Sequence, residues 1–168
     1  MAPLVIKNVL SEKQYSKLIN NLPNVELGLF DQPRSRYMIE TEVTTEYAKL
    51  LQPIAREVFK LTNLVKSYSL FCKYFGEASL NMHKDDNACT YTIDLCVRQT
   101  EPWGLWVENI EYILQPNEAL CYLGNKQMHG RLPKQFKENG FMEMMFLHYV
   151  TPDHWFFDEK NYSQYLFK

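Results

Sequence analysis

Chemistry in this sequence is concentrated at His83-Lys84-Asp85, an H-x-D triplet. On an extended backbone, residues i and i+2 project from one face, so an imidazole and a carboxylate can reach one ion. Alone the triplet says little, because acidic residues are common enough for a chain with four histidines to contain one by chance. Its setting adds weight: a strand-like segment and a Gly-containing turn precede it, and another strand-like segment follows. The third ligand must come from elsewhere, and His129 stands at the start of a short strand-like run after the turn at 124–126. Two neutral imidazoles and one carboxylate form the facial triad of a non-haem Fe(II) site, with positions left open for a cosubstrate and O₂. One carboxylate leaves such a site net positive, which suits an anionic chelating acid.

These side chains need a scaffold, and the chain divides into two characters. Up to residue 63 it reads as a short opening strand at 4–6 and two helices. The first helix is capped by Ser11 and ended by Pro23. A loop over 24–33 and strand-type residues over 36–43 follow, and Thr44 or Thr45 is placed to cap the second helix. That helix carries Tyr47, Leu51, Ile54, Val58 and Leu61 on one face. Pro53 falls inside the pattern and predicts a kink or two shorter helices. From residue 64 on, β-branched and aromatic segments alternate with Gly, Pro, Asn and Asp turns. Strands are expected over 65–75, 88–97, 105–107, 112–114, 119–123, 128–132 and 141–150. The expected fold is α+β, with a barrel or sandwich core. It forms a single domain over 1–168, with a helical support region over 1–63, a β core over 64–150 and a C-terminal tail over 151–168.

The composition is that of a folded globular chain, with 46% hydrophobic residues in 168. The formal net charge is −2 and no basic block stands out, so nucleic acid and an anionic membrane surface are poor partners. No apolar run approaches the ~20 residues that span a bilayer. Cys72, Cys89, Cys96 and Cys121 include no C-x-x-C pair. They read as free buried thiols, which fits a reducing cytoplasm.

The residues from Tyr68 onward resemble the Fe(II)/2-oxoglutarate-dependent dioxygenases, in their prolyl-4-hydroxylase-like branch. The resemblance covers about the C-terminal half of the chain. It is carried by the H-x-D at 83–85, the run Trp103-Gly-Leu-Trp-Val-Glu, the turn Pro116-Asn117-Glu118-Ala119, His129-Gly-Arg and the closing Phe146-Leu-His-Tyr-Val. It implies a double-stranded β-helix, a jelly-roll or cupin-like core, with N-terminal support helices. It also implies Fe(II) held by His83, Asp85 and His129, with 2-oxoglutarate as cosubstrate. The expected reaction is hydroxylation of a C–H bond in a small-molecule or peptidyl substrate, with succinate and CO₂ as co-products. Tyr74 matches the place of a tyrosine that, in relatives, donates to a carboxylate of 2-oxoglutarate.

One departure from the family is clear. Relatives carry Arg or Lys on the last core strand to hold the distal carboxylate, whereas 141–150 contains no basic residue. A buried carboxylate needs a partner. Arg131, two beyond His129 and able to grip a carboxylate with two parallel bonds, is the first candidate, and Arg98 the second. Lys73 and Lys137 are weaker candidates. Arg36 and Trp106 are candidates for substrate contact, and Arg34, Trp103 and the run 134–140 for the surroundings of the pocket. His148 reads as a hydrogen-bonded structural residue, His154 as part of the tail, Asp86 and Asn87 as turn residues that could also orient a ligand, and Asp94 as a surface residue or, if it faces the interior, a partnered group able to touch substrate. Two other readings stay open: a cupin-like metal enzyme that does not use 2-oxoglutarate, and a non-catalytic jelly-roll binding module.

Overall fold

In the computed structural model, residues 1–157 are described. The tail expected over 151–168 lies outside the described residues from 158 on. Two sheets face each other. Strands β1 (Leu4–Ile6), β2 (Leu29–Asp31), β3 (Arg36–Ile39), β4 (Val65–Phe75), β6 (Tyr91–Gln99), β9 (Ala119–Tyr122) and β11 (Phe141–Val150) form a seven-stranded sheet in the order β1-β9-β6-β11-β4-β3-β2. Strands β5 (Glu77–His83), β7 (Leu105–Val107), β8 (Ile110–Tyr112) and β10 (His129–Gln135) form a four-stranded sheet in the order β5-β10-β7-β8. Every pairing is antiparallel. This is the expected jelly-roll.

Two helices, α1 (Glu12–Asn20) and α2 (Glu42–Phe59), cover the outer face of the larger sheet. Alternation sorts the side chains between the two layers. In β6, Ile93, Leu95 and Val97 join the core beneath the helices, with Leu18, Leu51 and Phe71. Cys96 of the same strand joins the second core, between the sheets, with Tyr74, Leu105 and Met144.

Several local expectations need correction. α2 starts earlier than expected, with Thr41 as its cap. Thr44 is the reciprocal partner in a capping box, so β3 stops at Ile39. The helix runs uninterrupted through Pro53. Pro53 is exposed, so the carbonyl it leaves without an amide donor can be hydrated. Asp86 caps a short 3-10 turn over Asn87–Cys89, which delays β6 to Tyr91. The strand expected at 112–114 lies two residues earlier, and β10 continues to Gln135 through Pro133, at a shift in its register with β5. Strands β2 and β5 were not expected. In β5 the residues Glu77, Ser79 and Asn81 have low strand propensity, and pairing with β10 overrides it.

Candidate metal centre

His83 ends β5 and His129 begins β10, and the two are direct partners in the antiparallel ladder. Asp85 lies just past β5. Its amide donates to the carbonyl of Gly124 at 2.9 Å, which turns the carboxylate back over the end of the ladder. Asp85 Oδ1 then sits 3.3 Å from His83 Nε2 and 3.4 Å from His129 Nε2. The three ligand atoms all lie within 4.8 Å of one another.

The remaining ring nitrogens decide whether this donor set suits a cation. His83 Nδ1–H donates to the carbonyl of Asn81 at 2.8 Å, and His129 Nδ1–H to that of Gln127 at 2.9 Å. Protons held there leave both Nε2 lone pairs directed at the common centre, the tautomer that metal ligation requires. Burial disfavours the Asp85 charge, but without an ion, hydrogen bonds from the His129 and His83 rings outweigh it and hold the carboxyl well below the usual carboxylate range, and a bound cation would take the place of the ring protons that make those bonds. Gly124 is part of this geometry. A Cβ there would fall 2.5 Å from Asp85 Oδ2 and 2.6 Å from the Cys89 carbonyl, too close for any real contact. Two neutral nitrogens and one ionised oxygen fit a divalent ion of the Fe(II) type.

The triad opens onto a cavity of about 130 Å³, whose wall also carries Arg36, Tyr74, Asp94, Arg131 and His148. Tyr74 is fully buried, and its hydroxyl accepts from Arg36 Nη1 at 2.9 Å. Arg36 also donates to Asp31 Oδ2 at 2.9 Å, so its charge is partnered. Arg131 is buried, stacks on the Trp103 ring at 5.2 Å and donates to the Trp103 carbonyl. Among the described residues Arg131 makes no ion pair. It is therefore the cation of the cavity wall whose charge a ligand can answer.

Other sequence candidates lie elsewhere or do other work. Arg98 does not reach the cavity. A register irregularity between Glu143 and Met144 interrupts the β11–β6 ladder, and Arg98 pairs with Glu143 with its side chain 46% exposed. Trp106 alternates with the buried, interior Leu105 and Val107, so it faces away from the cavity. Its indole N–H is buried without a protein acceptor. Arg36, a candidate for substrate contact, shares the cavity wall with Tyr74. Lys73 lies over the Phe141 ring, and Lys137 lines a separate surface groove. Arg34 pairs with Asp31, and the ring of His154 accepts from the Phe156 amide. His148 is buried against Thr92 Oγ1 at 3.2 Å and also reaches the cavity wall.

Asp94 is the principal correction. Expected at the surface, it is 3% exposed and forms part of the cavity wall. The parity of β6 carries the signal: Asp94 falls between Ile93 and Leu95, both committed to the helix-side core, so it must face the other way.

No family model matches the sequence, and no curated protein matches it. Solved structures do match. HygX from Streptomyces hygroscopicus with nickel and 2-oxoglutarate bound superposes with a TM-score of 0.68 at 12% identity, over 90% of this chain and 83% of that one. The viral collagen prolyl hydroxylase of Paramecium Bursaria Chlorella virus-1, in its 2-oxoglutarate complex, gives 0.65 at 14%, over 89% and 96%. A Pseudomonas putida prolyl-4-hydroxylase gives 0.67 at 10%, over 89% and 92%. At these identities the shared property is the fold.

Proposed function

We propose that this chain, which has the fold of 2-oxoglutarate/Fe(II) oxygenases, hydroxylates a C–H bond of a small-molecule or peptidyl substrate, consuming 2-oxoglutarate and O₂ and releasing succinate and CO₂. The observation that carries the reading is the meeting of His83, Asp85 and His129 on a cavity that also presents the buried Arg131. HygX and the viral hydroxylase each hold 2-oxoglutarate on this same fold.

His83, Asp85 and His129 would hold Fe(II), which when bound supplies the redox chemistry that activates O₂. The rest is work for the protein. Arg131 takes the distal carboxylate of the keto acid, and burial strengthens that attraction by excluding water. Its contact with the Trp103 ring and its bond to the Trp103 carbonyl hold the charge in place before the ligand arrives. Tyr74, aligned by Arg36, presents its hydroxyl in the same cavity. His83 is the open side of the triad, with its side chain 37% exposed against 2% for His129. Substrate therefore approaches past His83. HygX has been seen with hygromycin B and the viral relative acts on collagen, so this fold serves both small and peptidyl substrates.

No helix among the described residues is long and apolar enough to cross a membrane. A reducing, cytoplasmic setting suits four buried cysteines that form no disulfide.

The test is succinate formation from 2-oxoglutarate. Turnover is expected only when Fe(II) and 2-oxoglutarate are both present, and Asp85→Ala abolishes it. Metal-dependent turnover of substrate without 2-oxoglutarate would replace this reading with a cupin-like enzyme.

A further inference from the structure

Arg131 is not the only guanidinium on the cavity wall. Arg36 reaches it from β3 of the larger sheet, opposite Tyr74, while Arg131 comes from β10 of the smaller one. Parity sets the direction: Tyr37 stacks with Phe30 and Phe75 on the outer face, so Arg36 and Met38 turn inward. Arg36 Nη1 donates to the Tyr74 oxygen at 2.9 Å, and Nε donates to Asp31 Oδ2 at 2.9 Å. Nη2 makes no bond among the described residues and is not one of the sealed polar atoms, so a ligand can reach it. The side chain is 14% exposed, against 3% for Arg131 as a whole.

Charge on this wall is unbalanced. Asp31 also pairs with Arg34 at 3.0 Å, so one carboxylate answers two guanidiniums. Arg131 has no counter-charge, and Asp94 bonds to Tyr122 rather than to either arginine. The two arginines act on one hydroxyl: burial raises the Tyr74 phenol, Cys72 adds to the rise, and the fields of both Arg36 and Arg131 oppose it. Trp103 links the pair, edge-on to Tyr74 at 5.1 Å and beneath Arg131 at 5.2 Å. A buried cation without a counter-charge is costly, and a carboxylate has lone pairs enough to accept from two guanidiniums at once.

Resting on the function proposed above, we infer that Arg36 and Arg131 together hold the distal carboxylate of the keto acid, one from each sheet. The β2–β3 hairpin is then part of the cosubstrate site. Through Arg36 the N-terminal support region supplies a charge that the last core strand lacks. Two guanidiniums on a cavity of about 130 Å³ select a short 2-oxo diacid and reject 2-oxo acids with apolar tails.

Calorimetric titration of the Ni(II)-loaded protein with 2-oxoglutarate, under nitrogen, tests this. Nickel content and melting temperature are measured separately for each variant. Arg36→Met removes the charge and is expected to bind about tenfold or more weakly at full nickel content. Arg36→Lys restores a charge without the planar fork, and is expected to recover at least about threefold of that loss. Parental binding by a folded Arg36→Met would overturn the inference, because the guanidinium would not meet the ligand. So would an Arg36→Lys as weak as Arg36→Met, because Arg36 would then serve only to hold Tyr74 and Asp31 in place. Should Arg36→Met not fold, Arg36→Gln, which can still donate to the Tyr74 oxygen, takes its place with the same expectation. A parent protein that holds nickel but takes up no 2-oxoglutarate sinks the proposed function as well, a result recognisable before any variant is made.

Discussion

His83 and His129 face each other as cross-strand partners, their ring centroids 4.4 Å apart. The ladder between β5 and β10 thus supplies two of the three ligands in one register step, and the Asp85 turn supplies the third. Register in such a ladder is all-or-none, since a one-residue slip of β10 against β5 sends the His129 ring to the other face of the sheet, away from His83. Gly130 protects that register. A Cβ there would lie 2.6 Å from the Leu80 carbonyl, so only glycine lets β10 approach β5 this closely.

Gly124→Ala places a methyl group against Asp85 Oδ2 and the Cys89 carbonyl, and must displace the carboxylate. Metal affinity is expected to fall on the order of 10–100-fold, the usual cost of disturbing a ligand's support. The far-UV circular dichroism spectrum should stay that of the parent. Competition against a chelator of known affinity measures the loss, and unchanged affinity would show that Gly124 does not shape the turn.

Arg131→Met keeps the side-chain length and removes the charge. Binding of 2-oxoglutarate to the metal-loaded protein is expected to weaken roughly 100-fold, as for loss of one partner of a buried charge pair. Metal binding should hardly change. Arg98→Met, which breaks a contact outside the cavity, is expected to leave 2-oxoglutarate binding near the parental value. The reverse ranking would return the carboxylate to Arg98.

Two buried groups give the metal-free protein opposite pH responses. Burial lowers His148 to about 4, from an ordinary 6.5. The unfolded chain takes that proton first, so this contribution is full above pH 6.5 and is lost as pH falls towards 4. Asp94 is raised to about 7 from 3.8, chiefly by burial. Its contribution is full below pH 3.8 and is lost as pH rises through 7. Relative to the parent, Asp94→Asn should therefore gain stability as pH rises from 4 to 7, and His148→Gln should lose it. Each difference should change by on the order of 3 kcal/mol across the window. Urea unfolding at pH 4.5, 5.5 and 6.5 measures both, and differences constant with pH would contradict the assignment.

Asn117 ties the Gln115–Glu118 turn to the N-terminus. Its backbone is left-handed (φ 65°), its Oδ1 accepts from the Leu10 amide at 3.0 Å, and its Nδ2 donates to the Leu10 carbonyl at 2.9 Å. Asn117→Ala loses both bonds and strains the backbone, for an expected cost of about 2–3 kcal/mol in urea unfolding. Metal stoichiometry should be untouched, because none of these contacts reaches the triad.

Much of this architecture is legible in the residues themselves. The runs 65–75 and 141–150 are aromatic and β-branched enough to announce two central strands, and both occur with those bounds. The H-x-D spacing already implies two ligands on one face. What escapes the sequence is set by tertiary context. β5 is a strand because β10 pairs with it, despite Ser79 and Asn81. Asp94 reads as a surface charge until both neighbours on β6 are known to pack beneath the helices. Arg131 ranks above Arg98 on paper by its spacing from His129, and the structure separates them further: a register irregularity in the β11–β6 ladder leaves Arg98 half exposed, while Trp103 holds Arg131 inside.

Metal stoichiometry tests the central claim most directly. The parent protein and His83→Ala, Asp85→Ala and His129→Ala are each loaded anaerobically with Fe(II), desalted and assayed for iron and for folding. One iron per chain is expected in the parent, and almost none in any of the three folded variants. Stoichiometric iron in folded His129→Ala or Asp85→Ala would contradict the assignment of these side chains as a single metal centre.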